Sequence, residues 1–123
     1  MRALILDDSH TIRMVLRRML QSIGCEVFEA ENGLEGLRQL KEIGKPDFVT
    51  VDWQMPVMDG MGFVQAVRAE YPGVELPLIM VTAVNDIKHV AAALEAGASE
   101  YLMKPFTEEM VREKLALLGV LQD

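Results

Sequence analysis

The sequence predicts a single α/β domain spanning residues 1–123, in which helices cover both faces of a parallel five-stranded sheet. Three observations predict this doubly wound (βα)5 architecture. Four short apolar runs and one amphipathic run alternate with helical patterns along the chain, and strict alternation of this kind implies a parallel sheet with right-handed crossovers. A chain of 123 residues has room for one domain. Half of the residues are apolar, which is enough to form a core.

The first βα unit begins with an apolar strand at residues 3–6. The following helix carries its apolar residues three and four positions apart, on one face. These residues are Ile12, Val15, Leu16, Met19, Leu20 and Ile23. Gly24 is placed to end this helix, because glycine readily adopts the left-handed conformation found after a helix.

The second unit begins with a strand in which polar and apolar residues alternate. This pattern, at residues 26–30, is typical of a half-exposed edge strand. Asn32 can cap the next helix. The apolar positions of that helix are Leu34, Leu37 and Leu40. The Gly-Lys-Pro sequence at residues 44–46 ends it.

The third unit contains a mainly apolar strand at residues 48–51, which indicates burial on both faces. Asp59 and Gly60 open the third helix. Its apolar side consists of Phe63, Val64 and Val67. The helix ends before Pro72, because proline cannot continue a helical hydrogen-bond pattern.

The last two units follow the same plan. Residues 78–81 form the fourth strand, and Asn85 or Asp86 caps a helix that Gly97 ends. The predicted apolar stripe of this helix is Ile87, Val90, Ala91 and Leu94. Residues 101–103 form the fifth strand, and Thr107 caps a final helix. That helix buries Val111, Leu115 and Leu118.

Composition excludes several classes of function. The net charge is −7, from 19 acidic and 12 basic residues, so direct binding of nucleic acid is not expected. Arg13, Arg17 and Arg18 are interpreted as a solvated helix face. No apolar run approaches the roughly 20 residues of a membrane span, so no membrane insertion is expected. The single cysteine, Cys25, cannot form an internal disulfide, which favours a reducing cytoplasm.

Polar residues follow four of the predicted strands. Asp7 and Asp8 follow the first strand, Asp52 the third, Thr82 the fourth and Lys104 the fifth. The carboxyl ends of parallel strands meet at one edge of a sheet, where ligands bind, so these residues are expected to lie close together.

Three neighbouring carboxylates are costly to hold together. Each pair separated by about 4 Å repels by roughly 4 kcal/mol at an effective dielectric near 20, and one lysine cannot neutralise all three acids. A divalent cation can, and an all-oxygen ligand set suits Mg²⁺. The alternative is that these acids are ordinary turn residues and helix caps, which the agreement of four strand ends disfavours.

Four short motifs carry a resemblance to bacterial two-component response-regulator receiver domains. They are the acidic pair at residues 7–8, the sequence DWQMPVMDG at 52–60, VTA at 81–83 and KPF at 104–106. The resemblance covers nearly the whole chain, and it implies the flavodoxin-like strand order 2-1-3-4-5. It also implies a cis peptide bond before Pro105.

The resemblance implies a role for each residue at the strand ends. Asp52 would accept a phosphoryl group from a phosphohistidine on a sensor histidine kinase or phosphotransfer protein. Asp8 and Asp52 would ligate Mg²⁺ directly and Asp7 through water. The backbone carbonyl of Gln54 would complete the protein ligands. Lys104 would pair with the phosphoryl oxygens.

The resemblance also implies how the signal leaves the site. Thr82 would donate a hydrogen bond to the phosphoryl group, and its shift would be coupled to inward rotation of Tyr101. The fourth helix, fifth strand and fifth helix would then contact a downstream protein, for which a flagellar motor switch is one candidate. The chain would modify only itself and would turn over no external metabolite. Gln54 and Val84 occupy positions that tune the lifetime of the phosphoryl group.

Other interpretations remain open. The chain could be a stand-alone regulator, which is favoured, or part of a longer regulator with an output domain. An aspartate-nucleophile phosphatase is disfavoured because the resemblance to such enzymes would require an Asp-x-Asp pattern after the first strand. In this chain Asp7 and Asp8 are adjacent. A flavin or nucleotide binder is disfavoured because the first loop lacks glycine and its acids would repel phosphate. His10 and His89 are expected to be surface residues.

Overall fold

The computed structural model describes residues 1–121, apart from the side chains of Val84 and Asn85. It contains five strands and five α-helices in strict alternation. The strands are β1 (Arg2–Leu6), β2 (Glu26–Ala30), β3 (Phe48–Asp52), β4 (Leu78–Thr82) and β5 (Glu100–Met103). The helices are α1 (His10–Ile23), α2 (Gly33–Ile43), α3 (Gly60–Glu70), α4 (Val90–Ala96) and α5 (Glu108–Leu117). The predicted (βα)5 architecture is confirmed.

The strands form one parallel sheet in the order β2-β1-β3-β4-β5. Every residue of the central strands β3 and β4 is buried, as their mainly apolar sequences predict. In the edge strand β2 only Val27 and Ala30 are buried, and the other three residues are partly or fully exposed. The flavodoxin-like order 2-1-3-4-5 is therefore confirmed, and the peptide bond between Lys104 and Pro105 is cis.

The sheet divides the core into two clusters. On one face, α2, α3 and α4 contribute buried side chains that include Leu40, Phe63, Val64, Val67 and Ala93. On the other face, α1 and α5 contribute Leu16, Leu20, Val111 and Leu115. Cys25 is buried in this second cluster. Both faces of the sheet are thus covered, as the alternating pattern requires.

Four of the helices begin at a side-chain cap. Ser9, Asn32, Asp59 and Thr107 each accept a hydrogen bond from the backbone N–H three residues later. Capping of this kind satisfies one of the N–H groups that the first turn of a helix leaves unpaired. The predicted starts of the second, third and fifth helices are confirmed.

The fourth helix differs from its prediction. The segment Val84–His89 is a 3-10 helix, and the α-helix begins only at Val90. A 3-10 helix has three residues per turn instead of 3.6, so it changes which residues of the following helix face the sheet. Ala93 is buried, whereas Leu94 is 40% exposed. The predicted apolar stripe of the fourth helix was therefore wrong, because a different set of residues faces the sheet.

Two further apolar positions lie outside the core. Val15 in α1 and Leu34 in α2 are both exposed by more than a third, although the helical spacing assigned them to buried faces. Each lies at the margin of its apolar stripe, where side chains reach solvent. Within the described residues, no helix is long and apolar enough to cross a membrane.

Gly60 brings the start of α3 against the end of β3. A Cβ atom at Gly60 would lie 2.5 Å from the backbone carbonyl oxygen of Asp52. The Gly60 N–H donates to the carbonyl of Trp53 at 3.1 Å. Only glycine allows this approach of the two backbones, which closes the loop that follows Asp52.

Candidate functional site

The polar residues at the strand ends converge, as the sequence predicts. Carboxylate oxygens of Asp7, Asp8 and Asp52 lie within 4.8 Å of one another. Asp7 and Asp52 are buried, whereas Asp8 is exposed. The parallel order of β1 and β3 brings these residues together, because Asp7 and Asp8 directly follow β1 and Asp52 ends the adjacent strand.

Lys104 provides the positive charge of the cluster. Its Nζ lies 3.2 Å from Asp52 Oδ1 and 3.5 Å from Asp7 Oδ2. The backbone N–H of Lys104 donates to the carbonyl of Thr82 at 2.7 Å, which extends the pairing of β4 and β5. This backbone contact fixes the start of a side chain that reaches across the sheet edge to the carboxylates.

Burial and neighbouring charges change the pKa values of Asp52 and Lys104. The pKa of Asp52 is raised to about 6, mainly by desolvation and then by the neighbouring charge of Asp7, while Lys104 opposes both effects. Burial lowers the pKa of Lys104, but attraction to Asp52 and Asp7 outweighs this effect, so the net pKa is raised. The lysine is therefore charged at neutral pH, and the nearby carboxylates favour that charge.

Asp7 is held by contacts that the sequence did not indicate. Its Oδ1 accepts the N–H of Ser9 at 2.8 Å, and its backbone carbonyl accepts a hydrogen bond from Arg13. Arg13 and Arg17 also pair with Glu29, at 3.1 and 2.7 Å. The interpretation of these two arginines as a merely solvated face was therefore wrong. Glu29, in the neighbouring strand β2, draws them onto the edge of the sheet.

The cluster opens into a pocket of about 480 Å³. The residues that line it are Asp8, Asp52, Gln54, Met55, Pro56, Ala83, Asp86 and Lys104. Thr82 is 3% exposed, and its hydroxyl donates to the carbonyl of Ala83 at 3.3 Å. Asp86, considered only as a helix cap, lies in the pocket wall. Val84 was predicted to tune the lifetime of the phosphoryl group, and its side chain lies outside the part of the chain that the structure describes.

The donor set fits a hard divalent cation. Three carboxylates lie within 4.8 Å of one another, two of them buried, and a single lysine contacts them. Oxygen ligands suit Mg²⁺, which commonly binds one or two carboxylates and retains water. Gln54, the predicted carbonyl ligand, lines the same pocket.

Tyr101 lies in β5, away from the carboxylate cluster. Its backbone pairs with Met80 of β4, two residues before Thr82. The ring is half-buried, and the Nζ of Lys114 from α5 lies 4.4 Å from the ring centre. The predicted switch residue is thus separated from the cluster and covered by a cation.

An aromatic contact beside the site was not predicted. The rings of Trp53 and His89 are stacked, with centroids 4.8 Å apart and planes 10° from parallel. Trp53 follows Asp52 directly, and His89 ends the 3-10 segment. Because the two residues are far apart in sequence, only the folded chain brings them together, and no local pattern signals the pair.

Comparison with known proteins agrees with this arrangement. The chain matches the response regulator receiver domain family over residues 3–116. It is 38% identical to the chemotaxis protein CheY1 of Helicobacter pylori over 119 residues, which cover 96% of each chain. It is 39% identical to a CheY homologue of Campylobacter jejuni, over 94% of this chain and 89% of the homologue. The crystal structure of Vibrio cholerae CheY4 superimposes with a TM-score of 0.85, at 33% identity over 98% of both chains.

Proposed function

Because the chain belongs to the response regulator receiver domain family, we propose that it is a phosphorylation-controlled signalling switch with Asp52 as phosphoacceptor. One observation carries this proposal: Lys104 Nζ contacts Asp52 Oδ1 at 3.2 Å beside two further carboxylates. The family is one of signalling domains, and the proposed domain spans residues 1–123. Its own phosphorylation and dephosphorylation are the only reactions we propose for it.

Asp52 receives the phosphoryl group from a phosphohistidine of a sensor histidine kinase or a phosphotransfer protein. One carboxylate oxygen of Asp52 forms a bond to phosphorus, and the phosphorus–nitrogen bond breaks with its electron pair leaving on the histidine nitrogen. The transition state of such transfers is loose, so positioning and neutralisation of charge provide most of the catalysis. Lys104 is suited to this task because it already lies beside the attacking oxygen.

The acidic cluster is the proposed Mg²⁺ site. Asp8 and Asp52 would hold the ion directly, Asp7 through water, and the backbone carbonyl of Gln54 would complete the protein ligands. When bound, Mg²⁺ supplies positive charge that offsets the carboxylates and the phosphoryl oxygens. The mutual approach of the three carboxylates within 4.8 Å supports this assignment.

The phosphoryl group adds negative charge beside Thr82 and Lys104, and this charge is the proposed trigger. The hydroxyl of Thr82 exchanges its bond to the Ala83 carbonyl for one to a phosphoryl oxygen. The shift of Thr82 frees space for Tyr101 to turn inward. The exposed surface of α4, β5 and α5 changes as a result, and a protein partner reads the change.

The proposed output is contact with another protein in the cytoplasm. The chemotaxis names of the relatives in Helicobacter and Campylobacter support a partner in chemotaxis, with a flagellar motor switch as one candidate. The free, buried Cys25 is compatible with a reducing compartment. The net charge of −7 does not favour direct contact with nucleic acid.

Intact mass after incubation with acetyl phosphate tests the proposal. We expect the wild-type protein to gain one phosphoryl group with Mg²⁺ present and none with excess EDTA. Asp52→Asn removes the nucleophile and is expected to gain none. Asp59→Asn is the matched control, because Asp59 is an exposed helix cap in the same loop and asparagine caps equally well.

Two outcomes would contradict this assignment. Phosphorylation of Asp52→Asn at the wild-type rate would place the acceptor elsewhere. A folded wild-type protein that gains no phosphoryl group with Mg²⁺ present would indicate a receiver-like adaptor that signals without phosphate. Circular dichroism on the same samples establishes that each variant is folded.

A further inference from the structure

The stacked pair of Trp53 and His89 joins two segments that flank the pocket. Trp53 lies between Asp52, the proposed phosphoacceptor, and Gln54, the proposed carbonyl ligand. Its own backbone is fixed on both sides, since its N–H donates to Val81 and its carbonyl accepts from Gly60, both at 3.1 Å. The backbone that carries the indole is therefore fixed beside the reacting group.

His89 ends the segment that forms the opposite wall. Ala83 and Asp86 from this segment line the pocket, and the segment continues as a 3-10 helix to His89. The start of the segment is held by β4, because the carbonyl of Thr82 accepts the N–H of Lys104 at 2.7 Å. Its far end is held against the Asp52 loop by the stacked rings, 4.8 Å apart.

Few other directional contacts hold this wall. In the part of the chain that the structure describes, no side-chain hydrogen bond or ion pair joins residues 86–89 to the strands or to the Asp52 loop. Ile87 and Lys88 are exposed. A 3-10 helix is also less well hydrogen-bonded than an α-helix. The stacked rings are thus the directional side-chain contact that the described residues show between this wall and the Asp52 loop.

We propose that His89 is a positioning residue that holds the pocket wall against Trp53 and thereby limits access of water to the phosphorylated Asp52. This inference rests on the proposed function, and it assigns to His89 a part in setting the phosphoryl lifetime. In hydrolysis, a water oxygen bonds to phosphorus, the Asp52 carboxylate leaves with the electron pair, and inorganic phosphate is released with the water protons. A wall free to move away from Trp53 admits that water more often.

Three variants separate this role from a general effect on stability. His89→Ala removes the ring, His89→Phe retains an aromatic surface for stacking, and Ile87→Ala truncates an exposed side chain in the same 3-10 segment. The first measurement is amide hydrogen exchange of residues 83–89 in the metal-free protein. We expect faster exchange in His89→Ala, with wild-type protection in the other two variants.

The second measurement is loss of the phosphoryl group after labelling with acetyl phosphate and removal of the donor. We expect His89→Ala to lose it about two- to tenfold faster, the scale that a stacked aromatic pair provides. His89→Phe and Ile87→Ala are expected to keep the wild-type rate. Trp53 emission reports the contact directly, because Trp53 is the only tryptophan in the chain.

The outcomes distinguish this inference from the proposed function. Equal exchange and equal phosphoryl lifetimes in His89→Ala and wild type would overturn the inference while leaving phosphorylation intact. A lower melting temperature in His89→Ala with an unchanged phosphoryl lifetime would show that the stacked rings only stabilise the fold. This result would also overturn the inference. A wild-type protein that takes up no phosphoryl group would refute the proposed function, and with it any effect of His89 on lifetime.

Discussion

Lys114 covers the ring of Tyr101, with its Nζ 4.4 Å from the ring centre. The same ammonium group lies 3.1 Å from Glu100 Oε1, and that oxygen also accepts the backbone N–H of Tyr101 at 3.0 Å. A cation over an aromatic face contributes about 0.5–2 kcal/mol, depending on how far it is desolvated. Lys114 therefore stabilises the half-buried position of the ring.

Replacement of this lysine by methionine is expected to favour inward rotation of Tyr101 without phosphate. Lys114→Met keeps an unbranched side chain, one atom shorter, but removes the charge, so the population of the inward ring should rise by about two- to thirtyfold. Ring resonances of Tyr101 in NMR spectra measure this population. Lys114→Arg retains a cation and serves as the control. Methionine-variant resonances identical to those of the wild type would contradict the expectation.

Asp52→Asn is expected to stabilise the metal-free protein at neutral pH. The carboxyl titrates near 3.9 in an unfolded chain, whereas its folded-state pKa is raised to about 6. Between these values the folded state retains a proton that the unfolded state has lost, so stability falls as pH rises from about 4 to 6. The full cost above pH 6 is about 3 kcal/mol, and asparagine avoids it.

The pH dependence provides the check on this prediction. Urea denaturation in EDTA should show Asp52→Asn to be more stable than wild type by about 1–3 kcal/mol at pH 7. The difference should shrink as pH falls through 6 and vanish below about pH 4, where both folded and unfolded Asp52 are protonated. A difference that stayed constant from pH 4 to pH 8 would show that the raised pKa is not its cause.

Magnesium is expected to raise the melting temperature. A ligand at a hundred times its Kd stabilises the folded state by about 2.7 kcal/mol, which corresponds to several degrees for a domain of this size. Asp8→Asn should reduce this gain, because it removes one of the proposed direct ligands. Asp59→Asn should keep it. Since Asp52 is protonated below its raised pKa, the gain should also decline as pH falls below about 6. Equal gains in all three proteins would contradict the proposed site.

Gly60→Ala is expected to destabilise the protein by about 1–3 kcal/mol, the cost of forcing a methyl group into a filled space. The added Cβ would lie 2.5 Å from the Asp52 carbonyl oxygen, and a backbone atom cannot move aside without displacing the end of β3. Gly62→Ala, in the same helical turn, first meets the flexible side chain of Met58 at 3.1 Å. This control should lose little stability, because alanine also favours the helix. Chemical denaturation compares the two, and equal losses would contradict the steric argument.

The sequence predicted features that depend on local periodicity. The convergence of Asp52 and Lys104 followed from five alternations of strand and helix, because the parallel sheet brings all carboxyl ends to one edge. The phase of the fourth helix was not predictable, since nothing in the sequence of Val84–His89 signals three residues per turn rather than 3.6. The pairing of Arg13 with Glu29 and the stacking of Trp53 on His89 join distant segments. Such contacts depend on how the elements pack, which a periodic pattern does not contain.

The division of the core by the sheet has an energetic consequence. Leu16 and Leu115 belong to one cluster, and Phe63 and Val67 belong to the other. Distant sites without shared partners contribute independently to stability, whereas neighbours are coupled. Truncations on opposite faces should therefore be additive, and truncations within one face should not. Substitutions in the helices of one face are consequently constrained by the strands that those helices contact. They are not constrained by the helices on the opposite face.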